Sequence, residues 1–286
     1  MPTPQHIEFI HLQHFTRNYH RRKAPASLSL FIDFFWETDF DGLWKQYPEG
    51  FSDVLFPNTG YTYLINLGTP FVMQVGDRKF PMKTDGFLPR QKDIETHHKP
   101  GNRLFGIKFK TSPIILEKKI NFAEYRESVF PLSYLADAAI LKKVKAAGNF
   151  AERVTILTNY FNHLLEQYEG SLHPVMIVNE ILAHCEQQLD FGQSVETLAA
   201  QYKVSSRTLQ RYFEIYSGIS TKKALQILRI RKAVELLVSA PADFDLTQFA
   251  YYDHSHFYKH LKQFLQKTTM QKLPAHLPIL AKLHKL

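Results

Sequence analysis

A single cysteine, Cys185, in 286 residues rules out an internal disulfide and any multi-cysteine zinc site. It falls in helical register with Val178, Ile181, Leu182 and Leu189, where a small core side chain belongs rather than a redox sensor. No apolar run approaches the roughly 20 residues of a bilayer span, and the N-terminus lacks a basic-then-apolar leader. A cytoplasmic protein with no membrane partner is expected. Gly-x-Ser-x-Gly, His-Glu-x-x-His and a phosphate-cradling glycine loop are all missing. There are 14 histidines, but His97 and His98 would point to opposite sides of a strand, and His254 and His256 diverge on a helix. Neither a metal, a cofactor nor an enzymatic activity is expected.

The chain does have apolar content, 44%, enough for two cores, and a net charge of +8 that favours an anionic partner. From residue 171 onward 14 Lys and Arg face 9 Asp and Glu, a net +5 in 116 residues; the preceding 170 residues carry +3. The excess is denser in the C-terminal part.

That part is organised around residues 194–216. Val195, Leu198, Ala199 and Tyr202 repeat with a helical period, Lys203-Val204 breaks it, and Ser205 can cap a second helix. On that helix Leu209, Tyr212, Phe213 and Tyr216 form an apolar face. Arg207, Gln210, Arg211 and Glu214 repeat at the same spacing, turned roughly 200° away. An outward Arg-Gln-Arg stripe suits the DNA major groove, because Arg can bond guanine bidentately and Gln adenine. The hydroxyls of Ser205, Ser206 and Thr208 lie where phosphates approach a helix N-terminus. A merely solvated face is the alternative if the stretch stood alone.

The spaced residues Ala199, Ser205, Leu209, Arg211, Phe213 and Gly218, followed by Arg229, Ala233, Leu236 and Leu237, resemble the DNA-binding domain of AraC/XylS-family bacterial regulators. The resemblance runs from about Pro174 to Met270 and includes a second helix-turn-helix signature at residues 251–257. It implies an all-α domain in which two helix-turn-helix modules are joined by a long helix, Thr221 to Val238. Eighteen residues span roughly 27 Å, near the ~34 Å between successive major grooves. The second reading helix is expected from about Asp253 to Leu265, with Phe257, Leu261 and Phe264 or Leu265 inward and Ser255, Lys259 and Lys262 opposite. Aligning it on the first module gives His254, Ser255, Tyr258 and Lys259 as base-facing candidates.

Two departures from the family pattern stand out. Ala199 precedes Leu209 by ten residues but Ala250 precedes Phe257 by seven, where about eleven is expected, as if a helical turn were missing. The first helix of this module is then a stub, or the joint is rebuilt. Lys203 replaces the usual turn glycine of the first module, a position that needs a positive φ.

Residues 28–110 read as a sheet. Aromatic and β-branched runs (28–36, 54–56, 61–67, 71–75 and 104–109) alternate with turns at Asp41-Gly42, Gly76-Asp77, Asp85-Gly86 and Pro100-Gly101. Phe105, Ile107 and Phe109 share one face, with Gly106 and Lys108 on the other. The pattern suggests a β-barrel or sandwich. Segments at 47–50, 104–109 and 129–132 look like the cupin-like sensor domains that precede AraC-type DNA-binding domains. The whole is then an α+β chain: a cupin-like β-barrel with following helices at 1–170, a linker at 170–174, and the DNA-binding domain at 174–286. A cupin-type enzyme is the remote alternative. Phe34, Trp36, Tyr61 and Tyr63 are the candidate lining of an effector cavity, or plain core.

Arg21, Arg22 and Lys23 read as a solvated arm. Asn149 with Glu152 opens a helix whose stripe of Phe150, Val154, Leu157, Phe161, Leu164, Leu165 and Tyr168 packs either on its own sheet or on a second copy. The next helix, from Val175 to Leu189, should end at Gly192, and Leu273 to Leu283 suggests a short capping helix. The reading is a sequence-specific regulator of double-stranded DNA, with a small-molecule effector, a homodimer and RNA polymerase as possible partners. The alternative is a regulator that docks on protein and grips DNA weakly through one module.

Overall fold

The computed structural model describes residue 14 and residues 18–113, 129–240 and 242–265. Ile7, Ile10, Phe15 and the tail expected to be helical lie outside them.

The described residues include ten strands: β1 (Tyr19–Lys23), β2 (Ile32–Asp39), β3 (Ser52–Leu55), β4 (Tyr61–Asn66), β5 (Phe71–Val75), β6 (Arg78–Met82), β7 (Gly86–Pro89), β8 (Ile94–His97), β9 (Arg103–Phe109) and β10 (Phe130–Pro131). They form two antiparallel sheets, ordered β1-β2-β9-β4-β7-β10 and β3-β8-β5-β6. Among the described residues no ladder hydrogen bonds join the two, so the expected cupin-like β-barrel is instead a pair of facing sheets that does not close.

The period of two decides which core each residue enters. Leu64 and Leu104 meet Leu55, Met73 and Ile94 of the smaller sheet, filling the space between the sheets with side chains. Tyr61, Tyr63, Phe105, Ile107 and Phe109 point the other way, under the helices that follow. Gly106 has no side chain because Trp36 covers it: a Cβ there would lie 2.1 Å from the indole.

Three expectations change here. Residues 41–46 form a short helix, α1 (Asp41–Gln46), rather than only a turn. The basic run 21–23 is not a free arm but lies in edge strand β1, with the Arg21 guanidinium 3.7 Å from the Phe34 ring centroid. The stripe at 150–168 is also settled. In α3 (Phe150–Glu166), which follows α2 (Ala138–Ala146), Val154, Leu157, Phe161 and Leu164 are buried in the chain's own core rather than offered to a second copy. The start signal works as read: the Asn149 side chain accepts from the Glu152 amide at 2.9 Å, and Glu152 accepts from Gly148 at 2.8 Å.

Five α-helices follow: α4 (His173–Gln188), α5 (Val195–Gln201), α6 (Ser206–Ser217), α7 (Thr221–Ser239) and α8 (His254–Phe264). Helix α4 stops at Leu189, itself left-handed at φ 53°, and not at Gly192. Cys185 is fully buried among Ile177, Val178 and Ile181, and burial, reinforced by Asp190, pushes its thiol up to about 11.

The two halves meet directly. Phe56 enters the helical core, while Val175 and Tyr216 reach the core beneath the sheet. The carbonyl of Ser217, at the end of α6, accepts from the Tyr61 hydroxyl at 2.9 Å and from Gln91 Nε2 at 3.4 Å. Asn179 donates to the Leu30 carbonyl at 2.6 Å, and Arg231 to that of Pro57 at 3.2 Å.

Candidate nucleic-acid interface

Helices α5 and α6 form a helix-turn-helix whose joint is set by backbone hydrogen bonds. The Ser194 side chain caps α5 by accepting from Thr197 N at 3.1 Å. At the other end Lys203 N donates to Ala200 O at 3.1 Å and Val204 N to Ala199 O at 3.0 Å, with Lys203 left-handed at φ 54°. This is the paired closure of a Schellman motif, built with lysine where glycine is usual. Ser205 Oγ then caps α6 from Thr208 N at 3.0 Å and donates to Thr208 Oγ1 at 2.9 Å.

Leu209 and Phe213, with no exposed surface, hold α6 against the helical core. Arg207 and Arg211 are exposed, as are Ser205 and Glu214; Ser206 and Thr208 are half-buried. Gln210 is half-buried and hydrogen-bonded through both ends of its amide. Its Nε2 donates to Glu214 Oε1 at 2.7 Å and its Oε1 accepts from Thr221 N at 3.3 Å, so the amide braces the turn into α7. Thr221 lies eleven residues further on, a partner that helical periodicity does not reveal.

The second unit repeats the construction on a smaller scale. Asp245 caps a one-turn 3-10 helix, Leu246–Phe249, by accepting from Thr247 N at 2.9 Å. Ala250 N donates to Thr247 O at 2.9 Å and Tyr251 N to Leu246 O at 3.2 Å, with Ala250 left-handed at φ 55°. Ala250 is therefore the counterpart of Lys203, not of Ala199. The residue corresponding to Ala199 is Leu246, eleven positions before Phe257. No turn is missing from this spacing; the first helix is a stub. Asp253 caps α8 by accepting from His256 N at 2.7 Å. Phe257, Leu261, Phe264 and Leu265 are buried. His254, Ser255, Lys259 and Lys262 are exposed, while Tyr258 is half-buried beneath Lys262, whose Nζ is 4.4 Å from the ring centroid.

No family model and no curated protein matches the chain. Among solved structures, ToxT from Vibrio cholerae in a P21 crystal form is 8% identical, covering 87% of this chain and 95% of its own, with a TM-score of 0.42. ToxT from V. cholerae O395 is 12% identical over 86% of this chain and 92% of its own, with a TM-score of 0.41. The AraC-like transcriptional activator CuxR is 9% identical over 78% of this chain and 88% of its own, with a TM-score of 0.26.

Behind the second joint, α7 contributes Arg229. Its guanidinium lies 3.8 Å from the Tyr251 ring centroid and donates to the Ala250 carbonyl. Tyr251 is hydrogen-bonded through its hydroxyl to His260 Nδ1. Burial, then the positive charge of Arg229, lowers the His260 pKa to about 4, so the ring is neutral at physiological pH. Tyr252, in contrast, is 92% exposed and stacks on His256.

The aromatics named as candidate effector lining do not gather around one space. Phe34 lies under Arg21, Trp36 over Gly106, and Tyr61 and Tyr63 are core residues on the opposite face of the sheet. Burial raises the Tyr63 pKa, and its hydroxyl is paired with Ser112 Oγ at 2.7 Å. Among the described residues no helix is long and apolar enough to cross a membrane.

Proposed function

We propose that the protein is a sequence-specific regulator of double-stranded DNA of the AraC/XylS kind, with residues 1–170 as a sensor domain and 174–286 as the DNA-binding domain. The observation that carries this reading is the repetition of one joint. Two short helical segments each close with the same pair of backbone hydrogen bonds around a left-handed residue, and each leads into a side-chain-capped helix with a polar outer face. The linking helix α7 has 19 residues, roughly 28 Å at 1.5 Å per residue.

Arg207 and Arg211 are the principal base-reading candidates. Ser205, Ser206, Thr208, His254, Ser255 and Lys259 supply phosphate or base contacts, Tyr258 contributes mainly through packing, and Gln210 acts as a brace. A small-molecule effector and a homodimer belong to the same reading, and so does contact with RNA polymerase, for which the exposed Tyr252 is a candidate.

The test is selection of bound duplexes from a random library by the full chain, followed by fluorescence anisotropy on the selected site. Arg207→Ala should weaken that site by about 1–3 kcal/mol and relax base preference. Affinity should fall steeply as salt rises. An enriched site that Arg207→Ala binds as well as the parent does would overturn the assignment of α6. Binding with no enriched sequence would favour a regulator that acts chiefly by docking on protein.

A further inference from the structure

Ile215 interrupts the polar outer face of α6. It is 40% exposed, whereas Leu209 and Phe213 are buried and Tyr212 and Tyr216 are half-buried against the two cores. Its place is fixed by the helical period. At about 100° per residue, Arg207, Arg211 and Ile215 stand four apart and form one stripe that drifts by about 40° at each step. Leu209 and Phe213 lie on the side opposite Arg211, so Arg211 points most directly away from the core, with Arg207 about 40° to one side of it and Ile215 about 40° to the other. All three are exposed. The isoleucine continues the line of the two arginines.

An isolated apolar side chain on a surface is ordinary, so exposure by itself decides nothing. Placement does. A branched aliphatic group in this line carries no charge and offers no hydrogen bond, so it can neither hold a phosphate nor pair with a donor or acceptor of a base edge. In the major groove the one aliphatic feature is the C5-methyl group of thymine. Contact between the two removes apolar surface of both from water.

We infer that Ile215 is a specificity-determining residue of the candidate interface, packing on the methyl group of a thymine near the base met by Arg211. The inference rests on the DNA-binding reading. Four residues rise about 6 Å along α6 and base pairs stack about 3.4 Å apart, so with the helix laid along the groove the thymine lies about two pairs from that base.

The test uses the full chain and the duplex it selects from a random library. Each thymine of the enriched site is replaced in turn by deoxyuridine, which keeps the hydrogen-bonding groups of the base and removes only the methyl. Fluorescence anisotropy should show an affinity loss of roughly three- to tenfold at one thymine for the parent, the scale of one buried methyl group. Ile215→Ala should bind the unsubstituted duplex more weakly by a similar or larger factor and should show no deoxyuridine penalty at that position. Alanine suits an exposed helix position, so thermal melts should match the parent. Ile215→Val, which keeps a branched side chain, should retain most of the penalty.

Deoxyuridine penalties that are the same in the parent and in Ile215→Ala, or absent at every thymine, overturn the contact, while the enriched site still upholds the DNA-binding reading. Full DNA affinity in Ile215→Ala together with lost capture of RNA polymerase would assign the side chain to a protein surface and overturns the contact as well. Selection that enriches no sequence removes the DNA-binding reading and the contact together, a result told apart from the others by the missing site.

Discussion

The hydroxyl of Tyr61, a fully buried residue of the central strand β4, donates to the carbonyl of Ser217 at the end of α6 at 2.9 Å. A core side chain of one half thus satisfies a terminal helix carbonyl of the other, one of the groups that a helix cannot pair internally. Tyr61→Phe leaves that oxygen with only the longer bond from Gln91. The expected loss is about 1 kcal/mol of unfolding free energy, read from urea denaturation. A midpoint unchanged from the parent would show that the contact adds nothing to stability.

Arg207 and Gln210, neighbours on α6, should separate by assay. Gln210 links Glu214 to the first amide of α7, so Gln210→Ala should cost roughly 0.5–1.5 kcal/mol of stability. Exposed Arg207 should cost nothing measurable there and act only on DNA affinity. Thermal melts beside anisotropy on the same proteins distinguish the two roles.

His260 gives the stability a pH dependence. Its folded pKa of about 4 lies below the ordinary histidine value of 6.5, so between these values the unfolded chain takes up more protons than the folded one. Stability from this group is complete above pH 6.5 and declines as pH falls toward 4. By linkage the decline from pH 7.5 to pH 5 is about 2 kcal/mol. His260→Leu should flatten that part of the urea-stability profile, and an unchanged slope would assign the effect to other groups.

The left-handed joints invite substitution. Lys203 and Ala250 pay the steric penalty of positive φ that glycine avoids, offset partly by the greater freedom of glycine in the unfolded chain. Lys203→Gly and Ala250→Gly should each raise stability by roughly 0.5–1 kcal/mol. Lower melting temperatures in both would show that these side chains contribute more through packing than they lose through backbone strain.

The sequence reveals most where one local rule determines the outcome. The faces of α6 and α8, the Ser205 cap, the Asn149–Glu152 start and the turns at Gly76 and Gly101 all follow from residues within four positions of one another. Lys203 could be read as left-handed for the same reason. Strands β6 and β7 were harder to see, because Arg78 and Lys79 break the alternation and β7 contains both a glycine and a proline. The counterpart of Ala199 in the second module is masked because Ala250 matches Ala199 in kind while matching Lys203 in backbone role. Contacts across long separations, such as Gln210 with Thr221 and Tyr61 with Ser217, leave no periodic trace.

Arg229 has a mechanical consequence. Because Arg229 of α7 grips the Ala250 carbonyl and the Tyr251 ring, the linking helix and the second joint are tied to each other by a contact outside the segment that connects them. On the proposed DNA-binding function, a duplex whose two recognition sites are spaced or phased unlike the two tied modules would have to bend or twist to engage both. The elastic cost of that deformation falls on the nucleic acid, and flexible pyrimidine–purine steps between the sites lower it even though no side chain touches them.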